Sequence, residues 1–285
     1  MMGKKNKEQQ EVLYEVSATN RQMINYRVYQ MSANEKALYF VIAFVVGVAV
    51  AYLFYGGIGK DEYGNPTVLT YILDVIVMVA GGLLAAKIFL PIRKQQIIDS
   101  RRKNLRKQFI DLLDSLSSSI SSGKNVPSAF VAAREDLLVQ YAPDAFIMQE
   151  VDNIISGIKN NIDVGSMLLN FGERSGIPDI RTFGRVFETA HSKGANLKDV
   201  VRNSHLILSN KCEIEAEIET KVASNKNEQY IMLIMPVILI AMIKLAGSDF
   251  GDNFTTPSGI ISTTIAIGMF IGSYFLGRQI LKIEV

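Results

Sequence analysis

Residues 37–55 read ALYFVIAFVVGVAVAYLFY, a run without a single charged side chain. A helix of about 20 apolar residues is long enough to cross the hydrocarbon core of a bilayer, which is about 30 Å thick. Three further apolar windows lie near 68–91, 229–247 and 259–277. The sequence therefore predicts an integral membrane protein with four transmembrane helices.

The composition describes a chain that is part membrane protein and part soluble domain. Its 285 residues are 48% hydrophobic and 20% charged, and the formal net charge is only +2. This near balance gives no broad basic field, so we expect no nucleic-acid partner. The chain has no phosphate-binding loop and no cluster of residues at metal-ligand spacing, and Cys212 is its only cysteine. We therefore expect a protein that is not an enzyme and that binds no cofactor or metal.

The positions of the basic residues predict the orientation in the membrane, because lysine and arginine are enriched on cytoplasmic flanks. Of the 30 lysines and arginines, nineteen lie in 93–228. With both termini inside, the two short outer loops contain Lys60 as their one basic residue. We therefore predict a membrane protein with both termini in the cytoplasm.

The long insert between the two pairs of apolar windows is patterned as helices. Phe109, Leu112 and Leu116 recur at three- and four-residue steps, and turn-forming residues interrupt the pattern at five places. The predicted fold is an all-α membrane protein in which two transmembrane hairpins flank a cytoplasmic six-helix bundle domain. The corresponding segments are a cytoplasmic N-terminal segment (1–36), hairpin 1 (37–91), the helical domain (92–228), hairpin 2 (229–278) and a cytoplasmic tail (279–285).

A basic run follows the second window. Residues 93–107 contain seven lysines and arginines and one acid, Asp99. Such a run suits anionic lipid headgroups at a cytoplasmic leaflet, and it is equally an ordinary stop signal for membrane insertion. Both interpretations stay open at the level of sequence.

An acidic segment precedes the third window, with glutamates at every second position, namely Glu213, Glu215, Glu217 and Glu219. The plainest interpretation is a solvated helix face. The alternatives are a docking surface for a partner, or a weak site for a divalent cation shared with another carboxylate such as Glu150. The sequence does not choose between them.

Two features inside the apolar windows stand out. Asp74 and Lys244 carry opposite charges near the outer ends of the second and third windows, so an ion pair is predicted, with backbone contacts and snorkelling as the alternative. Gly268 and Gly272 form a small-xxx-small face on the fourth helix, and Gly47 and Ala51 form a similar face on the first. Such faces allow close packing of helices, within one chain or between two copies.

The insert resembles the type II secretion F domain, as found in the tight-adherence branch of the type IV pilus systems. The resemblance rests on the order of several stretches together with two apolar windows on each side. These stretches are FIDLLDSLSSSISSGKNVPSAF at 109–130, an acid at Glu150, VGS at 164–166 and FETAHSKGANL at 187–197. The sequence has Ala195 where family members often have a second glycine.

The resemblance implies a platform protein of a type IV pilus or type II secretion machine, located in the inner (cytoplasmic) membrane. Such a protein couples a hexameric secretion ATPase to the extraction of pilin subunits from the bilayer, together with a second F-domain protein or another copy of itself. We expect the ATPase to dock on the acidic helix from Lys211 to Lys221 and on the loops at Gly123 and Gly194. A transporter subunit and a membrane protease are the competing classes, and neither has positive support in the sequence.

Overall fold

The computed structural model describes residues 13–59, 66–245, 253–254 and 256–280. It is about 81% helical. The chain divides into two compact units. Unit 1 comprises Met1–Gln30 and Lys94–Ile214, and unit 2 comprises Met31–Arg93 and Glu215–Val285. This division groups the N-terminal segment with the helices of the insert, whereas the predicted segments keep it apart.

The secondary structure departs from the all-α prediction at one place, a short antiparallel hairpin near the N-terminus. Its strands are β1 (Tyr14–Val16) and β2 (Gln22–Ile24), with Glu15 opposite Met23. The helices follow in the order α1 (Ala33–Tyr55), α2 (Val68–Ser121), α3 (Val126–Gln140), α4 (Phe146–Lys159), α5 (Val164–Ser175), α6 (Pro178–Ser192), α7 (Leu197–Leu245) and α8 (Pro257–Ile280).

Four of these helices are long and apolar enough to cross a membrane: α1, α2, α7 and α8. The prediction of a membrane protein with four apolar helices is therefore confirmed by length and composition. Two of them are much longer than a bilayer requires, since α2 has 54 residues and α7 has 49. In each, an apolar stretch and a polar stretch belong to one uninterrupted helix.

Three turns of unit 1 share one local design. Each has a residue with positive φ, and two positions later a polar side chain begins the next helix. Asn125 accepts a hydrogen bond from the Ser128 N–H at 2.9 Å, and Asp163 accepts one from the Ser166 N–H at 2.8 Å. These side chains satisfy amide donors that have no partner within the helix. The positive-φ residues are Gly123, Asn161 and Gly194, with φ of +89°, +57° and +65°.

Unit 1 has a single hydrophobic core to which the N-terminal arm (residues 13–30) and all six helices from α2 to α7 contribute. Phe109 of α2 lies at its centre and is completely buried. Its ring meets Phe171 and Phe183 edge-on, with centroids 6.0 and 5.4 Å away. These contacts join α2 to α5 and α6, so helices distant in sequence are held by one set of buried aromatic rings.

Within unit 1, α2 and α7 run antiparallel. Arg106 and Lys211 both reach Asp179, at 2.8 and 3.0 Å, while Asp114 and His205 approach to 3.8 Å. Later residues of α2 thus meet earlier residues of α7. The turns at Gly123 and Gly194 consequently lie at the same end of unit 1, which we call the turn end.

In unit 2, α1 and the apolar part of α2 also run antiparallel. The Arg93 guanidinium lies 5.2 Å from the centre of the Tyr39 ring. At the opposite end of the pair, the Gly57 N–H donates a 2.8 Å hydrogen bond to the Asp74 carboxylate. Polar contacts therefore fix both ends of an otherwise apolar helix pair.

Candidate functional site

The residues predicted to dock an ATPase do not gather on one surface of unit 1. Gly123 and Gly194 lie at the turn end, where a methyl group added to either would meet no atom within 4 Å. Glu213 lies sixteen residues beyond the first residue of α7, Leu197. At 1.5 Å per residue this is about 24 Å of helix. The loops and the start of the acidic segment are therefore separate candidate surfaces.

The acidic segment is a solvent-facing helix surface. Glu213, Glu217 and Glu219 are exposed, and Glu215 is half-buried. Glu217 forms an ion pair with Lys221, one helical turn later, with 2.7 Å between Oε1 and Nζ. Both partners are largely exposed, so this pair contributes little to stability.

Glu150, the acid of the family signature, lies in the interior of unit 1. Its two oxygens accept hydrogen bonds from Nη1 and Nη2 of Arg174 at 2.9 and 2.6 Å. The Tyr26 hydroxyl donates a third bond to Oε1 at 3.0 Å. Relative exposure is 1% for Glu150 and 0% for Arg174. The carboxylate therefore joins α4, α5 and the N-terminal arm through one buried fork.

The remaining donors of Arg174 are also satisfied. Nε donates to Asn170 at 2.8 Å, and Nη1 also reaches the Ile24 carbonyl at 3.3 Å. Burial alone would lower the pKa of Arg174, but the hydrogen bonds and charge of Glu150 outweigh it and raise the pKa. Burial, and then the Glu150 charge, also raise the pKa of Tyr26. Removing Glu150 or Arg174 alone would leave the other as an uncompensated buried charge, at a cost of about 3–5 kcal/mol.

These contacts overturn one alternative from the sequence. The carboxylate of Glu150 cannot share a cation with the acids of α7, because Arg174 already supplies its positive charge and occupies both oxygens. No group of three or more His, Cys, Asp or Glu side chains suited to a metal occurs in the described part of the chain. Glu150 is a residue that positions the arm, and it is not part of a surface.

Asp74 and Lys244 meet the same turn of unit 2, directly after α1. Asp74 accepts from the Gly57 N–H, as described above, and Lys244 Nζ donates to the Gly56 carbonyl at 3.2 Å. The backbone contact named as the alternative for Asp74 is thus present, and Lys244, for which snorkelling was the alternative, also bonds to the backbone. A direct ion pair between them stays a prediction.

The two small-residue faces have different surroundings. A Cβ built on Gly47 would stand 2.6 Å from the Ala85 Cβ and 2.8 Å from the Gly81 carbonyl oxygen. The same test at Gly268 and Gly272 finds nothing within 4 Å. Gly47 is therefore a packing residue within unit 2, and the face on α8 is open among the described residues.

Unit 1 carries two surface grooves that the sequence did not indicate. One, of about 460 Å³, lies between α3 and α4, and its lining includes Val131 and Ile158 together with the charged residues Lys124, Glu135 and Lys159. The other, of about 390 Å³, lies between α6 and α7 and is lined by apolar residues and two acids, namely Phe183, Val186, Ile207, Leu208, Asp179 and Asp199. Grooves formed by two helices depend on helix spacing, which no single-helix pattern reports.

Comparison with models of known protein families, with curated proteins and with solved structures finds no match to this chain.

Proposed function

We propose that this chain is a platform protein of a type IV pilus or type II secretion machine, in the inner membrane with both termini in the cytoplasm. In this role it takes no part in nucleotide chemistry. It receives mechanical work from a hexameric cytoplasmic ATPase and passes it to pilin subunits in the bilayer. The proposed arrangement is two transmembrane hairpins around a helical cytoplasmic domain.

The observation that supports this proposal most directly is the continuity of α2 and α7. Each helix contributes buried residues to the core of unit 1, such as Phe109 and Val201, and each also contains an apolar window. A force applied to unit 1 would therefore enter two uninterrupted helices without crossing a flexible linker. A protein that only binds a ligand at the membrane surface has no need of such continuity.

The separation between the acidic segment and the turn end makes the docking hypothesis testable in two parts. The first part replaces Glu213, Glu215, Glu217 and Glu219 with lysine. Charged surfaces steer association and set partner choice, so we expect weaker capture of the ATPase, with the loss depending on salt. Pull-down from membranes with equal amounts of each variant measures the effect.

The second part reverses two exposed lysines next to the turns, with Lys124→Glu and Lys193→Glu. A loss of ATPase capture in this variant alone would assign docking to the turn end. Capture at the wild-type level in both variants would remove both surfaces from the interface and contradict the docking hypothesis. Filament or secretion output, measured alongside, tests the platform role itself.

The topology is tested by cysteine labelling in intact cells. Cys212 is the only native cysteine, so a Cys212→Ser background gives a blank. We expect single cysteines at the exposed positions Ser128 and Ala18 to react only after the inner membrane is made permeable. Labelling of either in intact spheroplasts would contradict the proposed orientation. A secretion ATPase gene beside this one would be an independent, inexpensive support for the class.

A further inference from the structure

Three arginines gather at the end of unit 1 opposite the turn end. A Cβ built on Gly176, which follows α5, would stand 2.8 Å from both Arg102 Nη2 and Arg27 Cγ, so these two side chains are neighbours. The Arg101 guanidinium lies 4.2 Å from the centre of the Tyr29 ring. Arg27 and Tyr29 belong to the N-terminal arm, and Arg101 and Arg102 to α2. We call Arg27, Arg101 and Arg102 the arginine cluster.

The arginine cluster differs from three other arginines of unit 1 in forming no ion pair among the described residues. Arg106, Arg134 and Arg174 each form an ion pair with a carboxylate, those of Asp179, Asp152 and Glu150 respectively. Among the described residues, no ion pair involves a member of the arginine cluster. The Nε of Arg102 is moreover buried and has no hydrogen-bond partner there.

The carbonyl end of α5 accounts for part of this arrangement. The last carbonyls of a helix carry a partial negative charge, which favours a cation within the final turn. That field is equivalent to about half an elementary charge, whereas three guanidinium groups carry far more. Guanidinium groups that two chain segments bring to one end of unit 1, without an ion pair among the described residues, are suited to an anion with several acceptor oxygens, such as a phosphate.

The position of the cluster in the chain indicates where that phosphate belongs. Arg27 precedes the first residue of α1, Ala33, by six positions, and Arg101 follows Pro91, at the end of the second apolar window, by ten. Both segments thus lead directly into helices that can cross a membrane. The surface of a cytoplasmic leaflet is rich in anionic phospholipids, which attract basic residues near the ends of membrane helices.

We infer that Arg27, Arg101 and Arg102 bind the phosphate of an anionic phospholipid headgroup and so fix the N-terminal arm and α2 at the membrane surface. The site uses the bidentate geometry of guanidinium groups, with Arg101 held in place by the Tyr29 ring. This inference does not require the platform function. It requires only that α1 and α2 cross the bilayer with the arginine cluster on the cytoplasmic side.

The experiment uses the full chain in detergent, with phosphatidylglycerol or phosphatidylcholine added and the bound lipids resolved by native mass spectrometry. We expect the wild type to prefer phosphatidylglycerol, and R101Q/R102Q to bind it about thirtyfold more weakly. The matched control is R185Q/R202Q, which removes the same charge from exposed sites on α6 and α7. Equal losses in the two double variants would overturn the inference.

Two further measurements keep the result interpretable. Inorganic phosphate is titrated against the lipid, and displacement at comparable concentration would assign the cluster to free phosphate and overturn the lipid site. Should R101Q/R102Q fail to fold, R101K/R102K takes its place, because it keeps the charge and loses the forked donors. We expect reduced phosphatidylglycerol binding at an unchanged melting temperature. Wild-type binding by the lysine variant would contradict the proposed geometry.

Discussion

Unit 2 contains two pairs of apolar helices whose sequences carry similar small-residue spacings but whose packing is very different. In the first pair, Gly47 of α1 stands against Gly81 and Ala85 of α2, so closely that an added Cβ would overlap both. The second pair is α7 and α8. A Cβ added to Gly268 or Gly272 of α8 would meet no atom of the described residues within 4 Å. The spacing alone therefore gives a helix the capacity for close approach, and the partner surface decides whether that capacity is used.

The physical reason is that lipid tails are as apolar as the helices, so membrane helices gain little from burial as such. They associate through close van der Waals contact and polar bonds. The first pair has both, since Gly81 and Gly82 offer a matching flat surface and polar contacts close each end. Around the second pair, apolar residues of α1, α7 and α8 surround a gap of about 270 Å³. The first pair is thus a fixed scaffold, and α8 keeps a free face.

The largest effect is expected where the first pair is closest. Gly81→Leu would place a branched side chain against Ala51, whose Cβ already lies 2.5 Å from the position of a Cβ on Gly81. Because the Ala51 Cβ is attached directly to the backbone of α1 and cannot rotate away, we expect a loss of about 3 kcal/mol or failure to accumulate. Thermal unfolding of the detergent-purified protein measures it. The same substitution at Gly268 is the control, and equal loss at both sites would refute the distinction between the two pairs.

How much of this was predictable from the sequence varies with the kind of contact. The four apolar windows and the helix ends of unit 1 follow from residue type, because apolar length and turn-forming residues are local properties. The partner of Gly47 does not, since Gly81 lies in another helix and its surface depends on rotation about the helix axis. The fork between Arg174 and Glu150 was also hidden, although a lone arginine inside an apolar-patterned helix was a usable signal. The contact of Tyr26 with Glu150 could not be predicted either, because the arm has no periodic pattern that marks Tyr26 as buried.

A smaller effect is expected at the turn that closes the first pair. Asp74→Ala leaves the Gly57 N–H without its acceptor, which we expect to cost about 1–3 kcal/mol. Asp74→Asn should retain most of the stability, because its amide oxygen can still accept. Chemical unfolding of both variants in the same detergent compares them.

Exchanging the charges separates the turn contacts from a direct ion pair. In Asp74→Lys with Lys244→Asp, a lysine cannot accept from the Gly57 N–H, so we expect no recovery over the single variants. Recovery in the double variant would instead establish the ion pair that the sequence predicts.

A still smaller effect on stability is expected on the free face of α8. Because nothing in the described structure contacts Gly268 and Gly272, replacing both with leucine should change the stability by no more than about 0.5 kcal/mol. If this face joins two copies of the chain, the purified oligomer should dissociate. Multi-angle light scattering reports the mass, and an unchanged oligomer with unchanged stability would leave the face without any packing role.

The smallest effect is expected from filling the gap beside the second pair. Val237 of α7 lines it, and Val237→Leu adds one methylene group where there is room. We expect a gain of less than about 1 kcal/mol, because in lipid the added group gains contacts without gaining much from leaving its solvent. Ala51→Val is the opposing control, since it adds carbon where Ala51 already touches Gly81, and overpacking should cost about 1–3 kcal/mol. Opposite signs in the shift of melting temperature would establish that the two pairs differ in packing density. A lower melting temperature in both variants would show that the gap beside α7 is already filled when the protein is folded.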